Sequence, residues 1–229
     1  MLRPALAAVL LAAASPALAQ SILYQNNFES GTLGSEWSTG SRIEATAPAF
    51  TKFNGRYANG GTTLTLTQPN SGIVGRQNLP SNPPPAPPPG GGPQYYLYSL
   101  VFDFYCIDSW DGNLTVNGPD YFDVRINNSL QLHETFANHG ATQTFRQPDE
   151  LGRSFGFSYW WDTIYRGVRL DFTVPVGDPI TINFRGVGLQ DIDDESWGID
   201  NVSVSYTAVP APGLAAAAGL VMLRRPRRR

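Results

Sequence analysis

An alternation of apolar and polar residues with period two, repeated along the body, constrains this chain more than any other feature. In "YFDVRIN" Phe122, Val124 and Ile126 share one face, and Asp123 and Arg125 take the other. "VRLDFTV" does the same with Val168, Leu170, Phe172 and Val174 against Arg169, Asp171 and Thr173. "ITINFR" repeats it with Ile180, Ile182 and Phe184, and "TTLTLTQ", "YYLYSLVFDFYCI", "LQLHETF" and "NVSVSYT" add further strands. Successive side chains of a strand point to opposite faces, so such stretches are half-buried strands. No stretch carries the longer period of an amphipathic helix. Many short strands separated by Gly, Asn and Pro turns predict an all-β fold, an antiparallel β-sandwich of jelly-roll type.

The two ends of the chain follow different rules. "MLRPALAAVLLAAASPALAQ" has a single cation, Arg3, then an apolar run closing on Ala17-Leu18-Ala19, the small-x-small pattern of a signal-peptidase site. Residues 1–19 are therefore read as a secretory signal. At the other end, Val209, Pro210 and Pro212 precede an apolar stretch from Gly213 to Leu223. Arg224, Arg225, Arg227, Arg228 and Arg229 close the chain. The stretch is shorter than the ~20 residues of a stable spanning helix, and arginines favour the cytoplasmic side. This tail, residues 209–229, resembles the PEP-CTERM sorting signal of Gram-negative bacteria, with Ala211 where glutamate is usual. The resemblance implies transient inner-membrane contact, processing by an exosortase-type enzyme, and delivery to the cell surface or extracellular matrix. A C-terminal membrane anchor is the alternative.

Between the ends, residues 20–208 are read as one sandwich domain. The segment "SNPPPAPPPGGGP", residues 81–93, is extended and solvated by composition. It is read as a loop inserted into the sandwich, because residues 20–80 are too poor in aliphatics to make a core of their own. Without the two ends, ten of the sixteen Lys and Arg remain against nineteen Asp and Glu. A body this acidic argues against a nucleic-acid partner. The single cysteine, Cys106, excludes an intramolecular disulfide. It shares parity with Leu100, Phe102 and Phe104, which predicts a buried small apolar residue.

Several motif-like strings fail on their context. "GRSFG" is a literal G-x-S-x-G, but it lacks a following helix, and both histidines precede Ser154. "HETFANH" spaces His133 and His139 six apart rather than one helical turn. An EF-hand starting at Asp191 would place Ser196 where glycine belongs and Val202 where glutamate belongs. "DIDDE", Asp191 to Glu195, resembles the carboxylate strand of laminarinase-like glycosidases. It opens on aspartate rather than glutamate, and it sits beside turn-forming residues. A sandwich-type glycosidase using these acids is the alternative to a non-catalytic protein.

Two segments near the ends of the body, "NNFESGTLGSEW" and "ESWGIDNVSVSY", resemble the jelly-roll carbohydrate-binding modules and the related adhesion sandwiches of MAM type. The resemblance implies that the first and last strands lie side by side. It also implies a structural calcium ion held by Glu29 and Asp200 with backbone carbonyls. Parity points the same way for Asp200, which alternates in step with Val202, Val204 and Tyr206 and so is expected to face inward. A buried carboxylate needs a cation, an arginine or backbone donors, and calcium takes hard oxygen ligands in irregular geometry. Asp193, Asp194 and Glu195 are read as a solvated acidic turn. A second, weaker oxygen site is offered by Asp108 and Asp111 with Asp120 or Asp123. For a glycan, the candidate stacking rings are Trp160, Trp161, Trp110 and Tyr121. The expected function is a secreted, non-catalytic cell-surface or matrix protein that binds polysaccharide and is stabilised by calcium. A structural adhesion protein without a glycan ligand is a further alternative.

Overall fold

The computed structural model describes residues 20–38, 40–41, 43–46, 50–69, 95–138, 141–154, 157 and 160–209. The leader 1–19, the Pro-rich loop 81–93 and the tail from Pro210 onward, including Pro212 and the five arginines, lie outside the described residues. Val209 is the last residue of the last strand. Among the described residues there is no helix. The strands are β1 (Ser21–Asn26), β2 (Ile43–Thr46), β3 (Phe50–Tyr57), β4 (Gly60–Leu66), β5 (Tyr95–Asp108), β6 (Tyr121–Ile126), β7 (Ser129–Thr135), β8 (Glu150–Arg153), β9 (Asp162–Val174), β10 (Ile180–Val187) and β11 (Glu195–Val209).

They form two antiparallel sheets packed as a sandwich. The larger has the order β2-β3-β11-β5-β9-β8, with β1 also paired to β11. The smaller has the order β4-β10-β6-β7. β11 is central. One edge pairs with β5 from Glu195 opposite Asp108 to Val209 opposite Tyr95. Its other edge is shared, with β3 beside Trp197 to Ile199 and β1 beside Val202 to Tyr206. The first and last strands are therefore neighbours.

The alternating apolar faces meet between the sheets. Phe122, Val124 and Ile126 of β6 and Ile180, Ile182 and Phe184 of β10 pack against Phe102, Phe104 and Val204 of the larger sheet. Phe104 stacks on Phe122 with ring centroids 4.1 Å apart, and Phe102 meets Phe184 edge-on at 5.3 Å. Cys106 is a buried free thiol in the same core, as its parity predicts. Burying each such ring contributes about 1.5–3 kcal/mol. Phe122→Ala, which would leave a void between the sheets, costs about 3–5 kcal/mol.

Two bulges interrupt the larger sheet at one level. In β9 the pairing with β5 shifts between Phe102 and Phe104, at Arg166-Gly167, with Gly167 at φ +60°. In β11 it shifts between Asp200 and Ser203, with Asn201 at φ +49°. A bulge adds one residue and so reverses the facing of everything beyond it. Trp197 and Ile199 face the inter-sheet core before the bulge; Val202, Val204 and Tyr206 face it afterwards. Asp200 is buried, as expected, but on the opposite face. It lies beside a second apolar cluster on the outside of the larger sheet, formed by Phe50, Phe53, Tyr105, Ile107 and Ile164.

Candidate acidic site at the strand ends

The end of β5, the start of β6 and the start of β11 meet at one end of the sandwich. The connection between β5 and β6 folds back on itself there. Trp110 is fully buried, and its indole Nε1 donates to the carbonyl of Ser196 on β11 at 2.8 Å. The Asp120 amide donates to the Gly112 carbonyl at 3.0 Å, and the Asn138 amide to the Trp110 carbonyl at 3.0 Å. Gly112 has φ +63°, and a Cβ added there would lie 2.5 Å from the Thr142 carbonyl oxygen. Only glycine fits this return of the chain.

Among the described residues, the fold brings one group of three acids together. Asp111, Asp120 and Glu195 each offer a carboxylate oxygen, all within 4.8 Å of one another. Asp120 and Glu195 are 0% exposed, and Asp111 is half-buried at the rim. One oxygen of each buried acid is held by the backbone. Asp120 Oδ2 accepts the Asp111 amide, and Glu195 Oε2 accepts the Gln190 amide at 2.6 Å. The other oxygens, Asp120 Oδ1 and Glu195 Oε1, are buried and meet no donor. Burial pushes Glu195 up to about 8, helped by the charges of Asp120, Asp111 and Asp194, with the Gln190 amide opposing. Burial pushes Asp120 up to about 6, with the Asp111 amide opposing. Each shift reports the cost of a carboxylate held away from water without a counter-charge.

Sequence reading placed Glu195 in a solvated turn, and that is corrected. Asp193 is indeed exposed, its side chain 90% accessible and paired with Arg56 at 3.2 Å. Asp191 to Asp194 form the turn, and Glu195 is the first residue of β11, fully buried. Its parity with Trp197 and Ile199, both core residues, is the signal that would have found it. Asp111 does meet Asp120, one of the two partners offered for it. Asp123 is held elsewhere, by His133 Nδ1 at 2.7 Å and Arg125 at 3.7 Å. Asp108 departs from the pairing with Asp111. At φ +68° it turns toward Asp162, whose Oδ1 accepts the Asp108 amide at 2.8 Å. Both of its own carboxylate oxygens are buried without a donor. Burial first, then the charge of Asp162, raise it to about 7, and Arg56 opposes.

The pair proposed first, Glu29 and Asp200, is differently placed. Glu29 lies in an exposed turn, where its carbonyl accepts Lys52 Nζ at 3.1 Å. Asp200 Oδ2 accepts the Tyr105 hydroxyl at 2.8 Å, and Oδ1 accepts the Asn201 amide at 2.6 Å. Its cross-strand partner Asp103 is buried too. Asp103 Oδ1 accepts the Gly167 amide at 2.7 Å; Oδ2 accepts Asn201 Nδ2 at 3.0 Å and Arg166 Nη1 at 3.4 Å. Burial raises Asp200 to about 6, the Tyr105 and Asn201 hydrogen bonds lower it, and the charges of Asp103 and Glu29 raise it.

Of the candidate stacking rings, Trp110 is corrected to a core residue. Trp161 is 48% exposed and Trp160 half-buried, on the connection from β8 to β9. Tyr121 is half-buried and lies parallel to the His133 ring at 4.2 Å. An open cleft of about 480 Å³ is lined by Leu97, Ile126, Gln131, Asp171 and Phe172 among others, and by none of these rings.

No protein-family profile matches the chain, and no curated protein does. Among solved structures it is similar to dimeric latent PorU from Porphyromonas gingivalis, at 11% identity and TM-score 0.35, over 87% of this chain and 14% of that one. It is also similar to the Agl-KA catalytic domain, at 13% identity and TM-score 0.32, over 96% of this chain and 31% of that one. The chain thus spans less than a third of either structure, and both scores are too low to show a common fold.

Proposed function

We propose that this is an exported, non-catalytic β-sandwich of jelly-roll type that binds polysaccharide at the cell surface or in the extracellular matrix, with calcium completing its fold. The PEP-CTERM-like tail would deliver it through a transient inner-membrane stage and an exosortase-type enzyme. One observation carries the reading. Of the three acids that the fold groups, Asp120 and Glu195 are sealed from solvent, while aromatic surface is left outside at Trp161. A glycosidase needs its two carboxylates flanking an accessible glycosidic bond. Buried acids suit an ion or a structural role instead. An exposed indole, a large flat apolar face with a polar N–H at its edge, suits stacking on a sugar ring.

A glycan array probed with and without EDTA tests the reading, with Trp161→Ala beside the wild type. Retention of at least one polysaccharide, weakened several-fold by Trp161→Ala, is the expected result. Binding to no glycan would leave a structural adhesion protein. The glycosidase reading draws on the acids of 191–195, of which Asp193 is exposed and Glu195 is buried. Release of reducing sugar by the wild type, abolished in Glu195→Gln, would establish it and remove the non-catalytic one.

A further inference from the structure

We propose that Asp111, Asp120 and Glu195 form a calcium site that clamps the two sheets together where β5, β6 and β11 end. The proposal rests on the calcium part of the function proposed above and gives the ion a place that neither Glu29 nor Asp200 supplies. The acids arrive from different parts of the fold. Glu195 opens β11 in the larger sheet, Asp120 immediately precedes β6 in the smaller one, and Asp111 lies on the connection between β5 and β6. One ion among them joins both sheets and the connection.

An acidic group alone would say little, because carboxylates often gather at strand ends in water. Here two of the three are wholly buried, and each keeps one oxygen with no donor, although its other oxygen is fixed by a backbone amide. The amides set the orientation of each carboxylate before any ion arrives. Among the described residues, the oxygens left over meet no donor. Oxygens within 4.8 Å of one another fit around an ion with Ca–O distances of about 2.3–2.6 Å. All three donors are hard anionic oxygens with no imidazole or thiolate among them, which selects calcium over zinc or copper. Calcium also accepts the incomplete, irregular set that three carboxylates provide, with waters and carbonyls filling its remaining positions. The Asp194 carboxylate stands close enough to act on both buried acids. Its Oδ1 accepts the Ser109 hydroxyl at 2.7 Å, and it adds negative potential at the rim.

The test is titration of the EDTA-stripped, desalted protein with calcium chloride by calorimetry, with thermal melts in parallel. The expected result is one ion per chain, with a Kd in the millimolar range or tighter, as extracellular calcium modules show. A rise in Tm of at least about 3 °C in 10 mM calcium should accompany it. Asp111→Asn at the half-buried rim is the variant most certain to fold. It should weaken binding at least tenfold, and Asp120→Asn and Glu195→Gln should do so more strongly, each checked for a native circular-dichroism spectrum. Asp200→Asn should bind as the wild type does. Absence of both heat and Tm shift in the wild type would overturn the site and the calcium reading together. Calcium binding untouched by all three variants, or abolished by Asp200→Asn, would overturn this site and leave the calcium reading standing. A shift produced equally by 10 mM magnesium would overturn the choice of calcium. Glycan binding plays no part in the titration, so its failure on the array cannot be mistaken for failure here.

Discussion

β11 carries two buried acids, Glu195 at its start and Asp200 further along, and their surroundings differ in kind. Around Asp200 the protein supplies its own answer. The Tyr105 hydroxyl and the Asn201 amide take its oxygens, while Gly167, Asn201 and Arg166 take those of Asp103. The bulges at Gly167 and Asn201 sit at this level, and the amides and side chain they present are donors the carboxylates use. Around Glu195 half the answer is missing. One oxygen has an amide; the other has no donor among the described residues and feels the charges of Asp120, Asp111 and Asp194. A buried carboxylate's need for a partner follows from solvation alone. The nature of that partner depends on which backbone groups the local geometry sets free.

The largest effect should come from breaking the closed locus. Asp103→Ala leaves the Gly167 amide and Asn201 Nδ2 without their acceptor. Hydrogen bonds to a carboxylate contribute about 1.5–3 kcal/mol each; Gly167 and Asn201 are themselves exposed, so the low end applies to both and a loss of about 3 kcal/mol is expected. Urea unfolding should show the same loss in 5 mM calcium and in EDTA. A loss confined to one condition would mean that the two loci are one coupled unit.

A subtler difference lies in pH. The folded pKa of Asp200 is raised to about 6, against an ordinary carboxylate value near 3.9. Between these values the folded state holds the proton more tightly than the unfolded chain does. This contribution is therefore fully present below about pH 4 and is lost as pH rises through 6. Its ceiling is about 3 kcal/mol, from roughly two pKa units. Asp200→Asn has no proton to hold, so the stability difference between wild type and variant should swing toward the wild type as pH falls from 7 to 4. A pH-independent difference would show that Asp200 titrates normally.

Much of the sandwich was legible because alternation is a local signal. Phe122, Val124, Ile126, Ile180, Ile182 and Phe184 all face the inter-sheet core that their period implies. Asp200 shows where such reading ends. Its parity with Val202, Val204 and Tyr206 is real in the sequence, but the bulge at Asn201 reverses the facing between them. Nothing in "GIDNVSV" announces a bulge except an Asn that tolerates positive φ. Glu195 was misread for the opposite reason. Its membership of an acidic run outweighed its parity with Trp197 and Ile199, although only the parity describes a strand. The meeting of Asp111 and Asp120 with Glu195 is a long-range event. It depends on the return of the chain through Gly112 and on β5 lying beside β11, which no short window contains.

Two glycine substitutions give the smallest and sharpest contrast, because each sits beside one locus and carries the same kind of backbone. Gly112 has φ +63° and no room for a Cβ, which would meet the Thr142 carbonyl oxygen at 2.5 Å. Gly167 has φ +60° and open space around it. Gly167→Ala therefore adds only left-handed strain, about 1 kcal/mol, and should leave calcium affinity unchanged. Gly112→Ala adds the same strain and also forces the connection that carries Asp111 to move. Its expected cost is about 2 kcal/mol in EDTA, together with a several-fold loss of calcium affinity by calorimetry. If both variants bound calcium as the wild type does, the connection between β5 and β6 would hold no part of the site.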